Sequence, residues 1–154
     1  MLAIPHILAG GAIGKTLRRS WLAWPLAFAS HFVLDTIPHI DSHGLFGRAG
    51  GGVTALEACA GLLDFTLGAV LIISSAWRRP ARGRVLGCAG LGIVIDVAEY
   101  LPAVGPWLRR WPGTAWFTTF HHAIQHNVSP RDWPLGFMTQ AVVVALALWI
   151  IRRR

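Results

Sequence analysis

The chain alternates long apolar runs with short basic clusters and two longer polar connections. A helix that crosses a bilayer needs about 20 largely apolar residues. Five stretches read as spans on that pattern: residues 1–15, 21–38, 53–77, 85–105 and 133–151. The first is short, and the second holds Pro25 and Pro38. The fourth, "VLGCAGLGIVIDVAEYLPAVG", is apolar but carries Asp96 and Glu99. Residues 39–52 and 106–132 are the connections. Within the second, "TAWFTTFHHAIQHNV" reads as a helix lying in or dipping into the membrane interface. The run "GGAIG", Gly10 to Gly14, supplies small residues that let helices approach closely, and Gly50, Gly51 and Gly52 read as a flexible connection. The pattern predicts an all-α polytopic membrane helix bundle, one integral-membrane domain over residues 1–154.

Composition sharpens this picture. The chain is 54% hydrophobic and only 14% charged, where a soluble domain is about 25% charged. Eight tryptophans and 17 glycines fit a membrane protein. A net charge of +7 raises the question of nucleic acid. The basic residues, however, sit in clusters between apolar runs, a topology signal and not a phosphate-binding stripe. Lys15, Arg18 and Arg19, then Arg78, Arg79, Arg82 and Arg84, then Arg152, Arg153 and Arg154 fall on one side of a five-span chain. Basic loops favour the cytoplasm, so the expected topology has the N-terminus outside and the C-terminus inside a bacterial-type cytoplasmic membrane. Residues 1–14 lack a preceding basic region and read as mature protein, not a signal peptide. Cys59 and Cys88 read as small core residues.

On that topology all seven acids and all seven histidines lie at or above mid-membrane on the outer side. An ionisable group at mid-bilayer costs about 2.5–3.5 kcal/mol, so it needs a partner or a purpose. The stretch "SHFVLDTIPHID" concentrates four such groups. His31 and Asp35 share a helix face at i, i+4. Pro38 ends that helix and disfavours helical geometry at Ile37, so His39 and Asp41 fold back over its end. Imidazole nitrogens and carboxylate oxygens hold zinc and similar divalent ions. The plainer alternative is a His–Asp hydrogen bond that steadies the bundle.

In "FHHAIQH", His122 and His126 have the i, i+4 spacing that offers two imidazoles from one helix, while His121 points elsewhere. Asp96 and Glu99 stand at i, i+3 in a span and need protons, a cation or Arg109 and Arg110. They are candidates for metal ligation or for a general base, Glu99 as base and Asp96 as ligand. Asp64 and His6 are further ligand candidates. Glu57 is either a ligand or a helix-dipole partner. Arg109 and Arg110, with His121, are placed on the substrate, because guanidinium pairs bidentately with phosphate. Trp107, Trp111, Trp116 and Trp133 read as interface anchors or the lining of a lipid groove.

An early His, then "SHFVLDTIPHID", then an acidic span and "HH…H" resembles the YdjM-like bacterial integral-membrane proteins, described as metal-dependent hydrolases. That group is distantly similar to the zinc-dependent phospholipases C and single-strand nucleases. The resemblance implies a helical enzyme with one or more zinc ions. His6, His31, Asp35 and His39 match its ligand positions by type and order, and His122 and His126 a later His-rich helix. The chain departs from it in being short, in spanning a membrane, and in carrying HxxxH where the later element is usually His-x-x-x-Asp/Glu. The expected function is a zinc-dependent hydrolase of a lipid phosphoester, with no nucleic-acid partner. An ion or metal transporter, or a metal-stabilised module without turnover, is the alternative. A transporter needs polar residues on the inner half too, and only Ser74 and Ser75 lie there.

Overall fold

The computed structural model describes residues 1–46 and 53–153, so Arg48, the glycines at 50–52 and Arg154 lie outside the described residues. Eight α-helices carry the fold: α1 (Ala3–Thr16), α2 (Ser20–Asp35), α3 (Ser42–Phe46), α4 (Ala55–Ala76), α5 (Arg82–Tyr100), α6 (Val104–Arg110), α7 (Pro112–Ile124) and α8 (Trp133–Arg152). A 3-10 turn, Pro130–Asp132, leads into α8. The described residues contain no strand beyond a single parallel bridge between His39 and Asn127.

Prolines set the breaks. α2 ends at Asp35, three residues before Pro38, as the sequence predicts. α5 ends at Tyr100, and Leu101, the residue before Pro102, is extended (ψ 127°). α6 then leaves at 84° to α5. Arg82–Tyr100 and Val104–Arg110 together are therefore one bent span or a re-entrant turn. Ala55–Ala76 and Pro130–Arg152 are long and apolar enough to cross a membrane outright, and only 22% of each is buried within the protein. Their outward faces are apolar and unpartnered, as a lipid solvent requires. The described residues thus hold two helices long and apolar enough to span a membrane, or three with the bent pair. α1 and α2, counted among the five spans above, have 14 and 16 residues and rise about 21 and 24 Å, short of the ~30 Å hydrocarbon core.

α1 is nevertheless the centre of the bundle, packed against α5, α8, α2 and α4. Ile7, Leu8 and Ala12 form a core with Ile72 and Ala76 of α4, Val85, Ala89 and Ile93 of α5, and Ala147 and Ile151 of α8. Antiparallel contact with α5 is set by glycine. A Cβ on Gly92 would stand 2.5 Å from the His6 carbonyl oxygen, one on Gly14 2.7 Å from that of Arg84, and one on Gly10 would overlap the Cys88 carbonyl. The backbones touch because there is no side chain between them. Cys88 is buried here, whereas Cys59 is exposed on α4, contrary to the expectation of a second core thiol.

The N-terminal turn of α1 has no cap of its own. Asp64 of α4 accepts from the Ala3 and Ile4 amides, and the Gln140 Oε1 of α8 accepts from Leu2 N at 3.0 Å. Gln140 also donates to the carbonyls of Ile40 and Gly136, each at 2.9 Å. The first turn of α1, the N-terminal halves of α4 and α8 and the segment after α2 are tied together by these bonds.

Candidate metal centre

α2 presents His31 and Asp35 on one face, as their spacing requires, and both are fully buried. α1 brings His6, whose ring stacks on His31 at a centroid distance of 4.1 Å. α5 brings Asp96, one turn past Gly92, and α7 brings His121. The His31 and His121 Nε2 atoms face each other at 3.0 Å. Each lies 3.2 Å from Asp35 Oδ2, and they lie 3.4 and 3.7 Å from Asp96 Oδ1. Asp35 turns its other oxygen to His6 Nε2 at 3.2 Å and to the Met1 amino group at 3.1 Å.

The far sides of the two imidazoles decide what this triangle is. His31 Nδ1 is 2.9 Å from the Gly92 carbonyl oxygen, which can only accept, so Nδ1 carries the proton. His121 Nδ1 is 3.0 Å from Glu99 Oε1 and donates likewise. In neutral rings both converging Nε2 atoms are then bare lone pairs, pressed together beside a carboxylate. Only a cation resolves that arrangement, a proton or a metal ion. Ligands about 2.0–2.1 Å from a tetrahedral ion stand about 3.3 Å apart, and the His31–Asp35–His121 triangle has edges of 3.0, 3.2 and 3.2 Å. A ring nitrogen anchored by a carbonyl or carboxylate on its far side is the usual support of a metal-bound histidine. His6 adds two buried ring nitrogens without hydrogen-bond partners, since its approach to Asp35 is out of line. These residues therefore fit a divalent ion. His6, His31 and Asp96, then His31, Asp35 and His121, then Glu99, His121 and His122 each bring three ligand atoms close enough to share one.

Without an ion, protons hold the charge. Burial pushes the His121 imidazole towards the neutral form, but its hydrogen bonds to Asp35 and Glu99 outweigh this and hold its pKa up at about 9.

No protein-family model, curated protein or solved structure matches this chain. The site therefore stands on its own geometry.

That geometry redistributes several expected roles. His121, placed above with Arg109 and Arg110 on a substrate, is the α7 histidine that enters the cluster. His122 and His126 do not share a helix, because α7 ends at Ile124. His122 is 57% exposed and reaches only Glu99, Nε2 to Oε2 at 2.8 Å. His126 is exposed and acts through its backbone: its amide donates to the Asp35 carbonyl, and its carbonyl accepts from His39 N. His39 is buried, donates Nδ1–H to the Ile37 carbonyl at 2.8 Å, and leaves Nε2 without a partner. It lies outside the three ligand groups, and its backbone pairs with residues 126–128.

Asp41 accepts from Gly44 N at 2.7 Å, at the start of α3. Asp64 caps α1, and Glu57 forms a capping box with Thr54 while accepting from His43 at 3.0 Å. These three carboxylates serve helix starts. Both oxygens of Glu99 are engaged by histidines, so Glu99 orients His121 instead of standing free as a base. Asp96 is 21% exposed and keeps one oxygen uncommitted. Among the described residues no arginine pairs with a carboxylate. Arg109 reaches only the Glu99 carbonyl, at 3.5 Å, and Arg110 is exposed beside it on α6.

Sequence reasoning missed the Gly92 carbonyl, the Met1 amine, Gln140 and the part played by His121. A signal for the last was present: Thr118 and His121 are the i, i+3 polar pair on the inner face of α7, with Trp116 and Phe120 turned outwards.

Proposed function

We propose that the protein is an integral-membrane, metal-dependent hydrolase of the YdjM-like kind, with zinc held by His31, Asp35 and His121 and with His6 and Asp96 against the same ion. The observation that supports it is the convergence of two imidazole Nε2 atoms 3.0 Å apart, both with the opposite nitrogen committed to an acceptor. A bound divalent ion supplies a water of lowered pKa and polarises a phosphoryl or acyl oxygen. Asp96, 21% exposed and with one oxygen uncommitted, accepts the proton from the attacking water. Glu99 fixes the orientation of His121, and the His31 Nδ1 bond to Gly92 fixes that of His31. Arg109 and Arg110 take the phosphate of a substrate presented at membrane level, which favours a lipid phosphoester.

The basic end of the bundle faces the cytoplasm in this reading. α1 and α2, short for the hydrocarbon core, cross with the other three spans by thinning the bilayer around them, and the N-terminus and the cluster face outwards. Cysteine labelling at residue 43 from the two sides of sealed vesicles tests the topology. Labelling only from the cytoplasmic side reverses it.

The deciding experiment is elemental analysis of the purified protein beside headgroup or phosphate release from a lipid panel in micelles. Wild type should hold at least one divalent ion and turn over. Asp96→Asn should weaken metal binding and, with zinc supplied at saturation, still lose roughly 100-fold in rate, the usual size of a general-base contribution. Full metal with no turnover on any phosphoester or acyl ester leaves a metal-stabilised module, and no metal at all removes the whole reading. A transporter is disfavoured by the opposite end of the bundle, which offers no acid and no histidine.

A further inference from the structure

The end of the bundle remote from the metal cluster carries a groove of its own, along the last two turns of α4. Val70 and Ile73 form its apolar wall, and Ser74, Trp77 and Arg78 its polar head. Val70, Ile73 and Trp77 are exposed hydrophobics on a membrane-spanning helix. Nearby Arg79 is occupied: Nε donates to the Ser75 carbonyl at 3.2 Å, and the two terminal nitrogens donate to the Arg153 and Arg152 carbonyls at 3.0 and 2.9 Å. Those bonds neutralise the negative pole of α4 and the C-terminus of α8. Arg84 is likewise spent on Gly14 and Arg18 carbonyls. Arg82 lies over the Trp77 ring at 5.9 Å.

Arg78 makes no hydrogen bond or ion pair among the described residues. Lys15, Arg18, Arg19, Arg152 and Arg153 stand at the same end, and every Asp and Glu of the chain lies elsewhere. The local field is therefore uncompensated and positive.

We propose that this groove binds one anionic phospholipid, its phosphate on Arg78 and Ser74 and an acyl chain along Val70 and Ile73. A guanidinium takes a phosphate bidentately, the Ser74 hydroxyl, which here donates to the Leu71 carbonyl at 3.1 Å, turns to the phosphate on binding, and Trp77 sits at headgroup level. A zwitterionic headgroup brings its own cation into an already cationic site. A soluble anion leaves the apolar wall uncovered. Anionic lipid satisfies both halves at once. The inference is independent of the metal reading and needs only that α4 spans the membrane.

The test uses the full chain in a neutral detergent, with phosphatidylglycerol or phosphatidylcholine added as mixed micelles. A ligand that binds only the folded state raises Tm. Phosphatidylglycerol should raise it by about 3 °C or more, and phosphatidylcholine should not. Arg78→Gln, an exposed position, should lose most of the gain. Arg19→Gln, at the same end but outside the groove, should keep it. Native mass spectrometry of the same samples should show one retained phosphatidylglycerol in wild type and none in Arg78→Gln. Equal shifts from the two lipids, no retained lipid in wild type, or an equal loss in Arg19→Gln each overturns the proposal, the last by showing a diffuse charge effect in place of a site.

Discussion

The two ends of this bundle face the same physical problem and solve it in opposite ways. Both bring polar side chains into an apolar surround. At the basic end, Arg79 and Arg84 turn to the carbonyls that helices always leave unsatisfied at their C-termini. Each arginine acts locally, and each could be lost without disturbing another. At the opposite end His6, His31, Asp35, Asp96 and His121 come from four helices and converge on one another, with a cation needed to complete them. No member can be removed without leaving its neighbours buried and unpaired. The first arrangement is capping, whereas the second has the form of a binding site.

The largest break in that comparison is Asp35→Ala. It strips the one carboxylate shared by three imidazoles and the Met1 amine. It should cost about 3–5 kcal/mol, as loss of one partner from a buried charge pair does, and abolish metal retention. Thermal unfolding and elemental analysis of the variant check both. Wild-type metal content in Asp35→Ala would exclude the assigned ligand set.

Gly92→Ala comes next. Its methyl group meets the His6 carbonyl, so α1 and α5 must separate. The expected loss is about 1–3 kcal/mol, typical of overpacking, with weakened metal binding because His6 and Asp96 move apart. An unchanged metal titration would show that the cluster does not depend on this contact.

Asp64→Asn separates capping from ligation. It keeps an acceptor for the Ala3 and Ile4 amides but removes the charge. Stability should drop by about 1 kcal/mol, with no change in metal content. Loss of a metal ion would return Asp64 to the ligand set.

The smallest effect belongs to Arg84→Gln, which removes two bonds to the C-terminal carbonyls of α1 and the loop beyond. Its cost should stay near or below about 1 kcal/mol, with metal and turnover unaffected. A larger fall in metal content would mean that the two ends are coupled through α1.

The all-helical class, the break before Pro38, the close approach at "GGAIG" and the gathering of acids and histidines at one end were legible in the sequence. Each is a local or one-dimensional property: periodicity, proline chemistry, residue size, position along a span. The errors arose where the answer needed a contact between distant segments. His122 and His126 fit a helical spacing, but α7 stops at Ile124, two residues short of completing the pair. Asp64 looked unpaired within its own helix because its partners are the amides of Ala3 and Ile4, sixty residues earlier. Glu99 looked free for catalysis because both of its partners, His121 and His122, lie on α7. α1 reads as a short first span, and its shortness suits a helix that other helices surround.

That position of α1 governs how the protein is made. It is synthesised before every helix that covers it. Its partners for Gly10 and Gly14 follow some seventy residues later, and Gln140, which grips its first turn, follows 138 residues after Leu2. Few of its native contacts are local, and closing such long loops is slow. α1, made before the helices that cover it, is thus among the last to find its place. Until α8 arrives, its small-residue face is open to other helices, so the bundle closes, and misassembly is averted, only once α8 is in place.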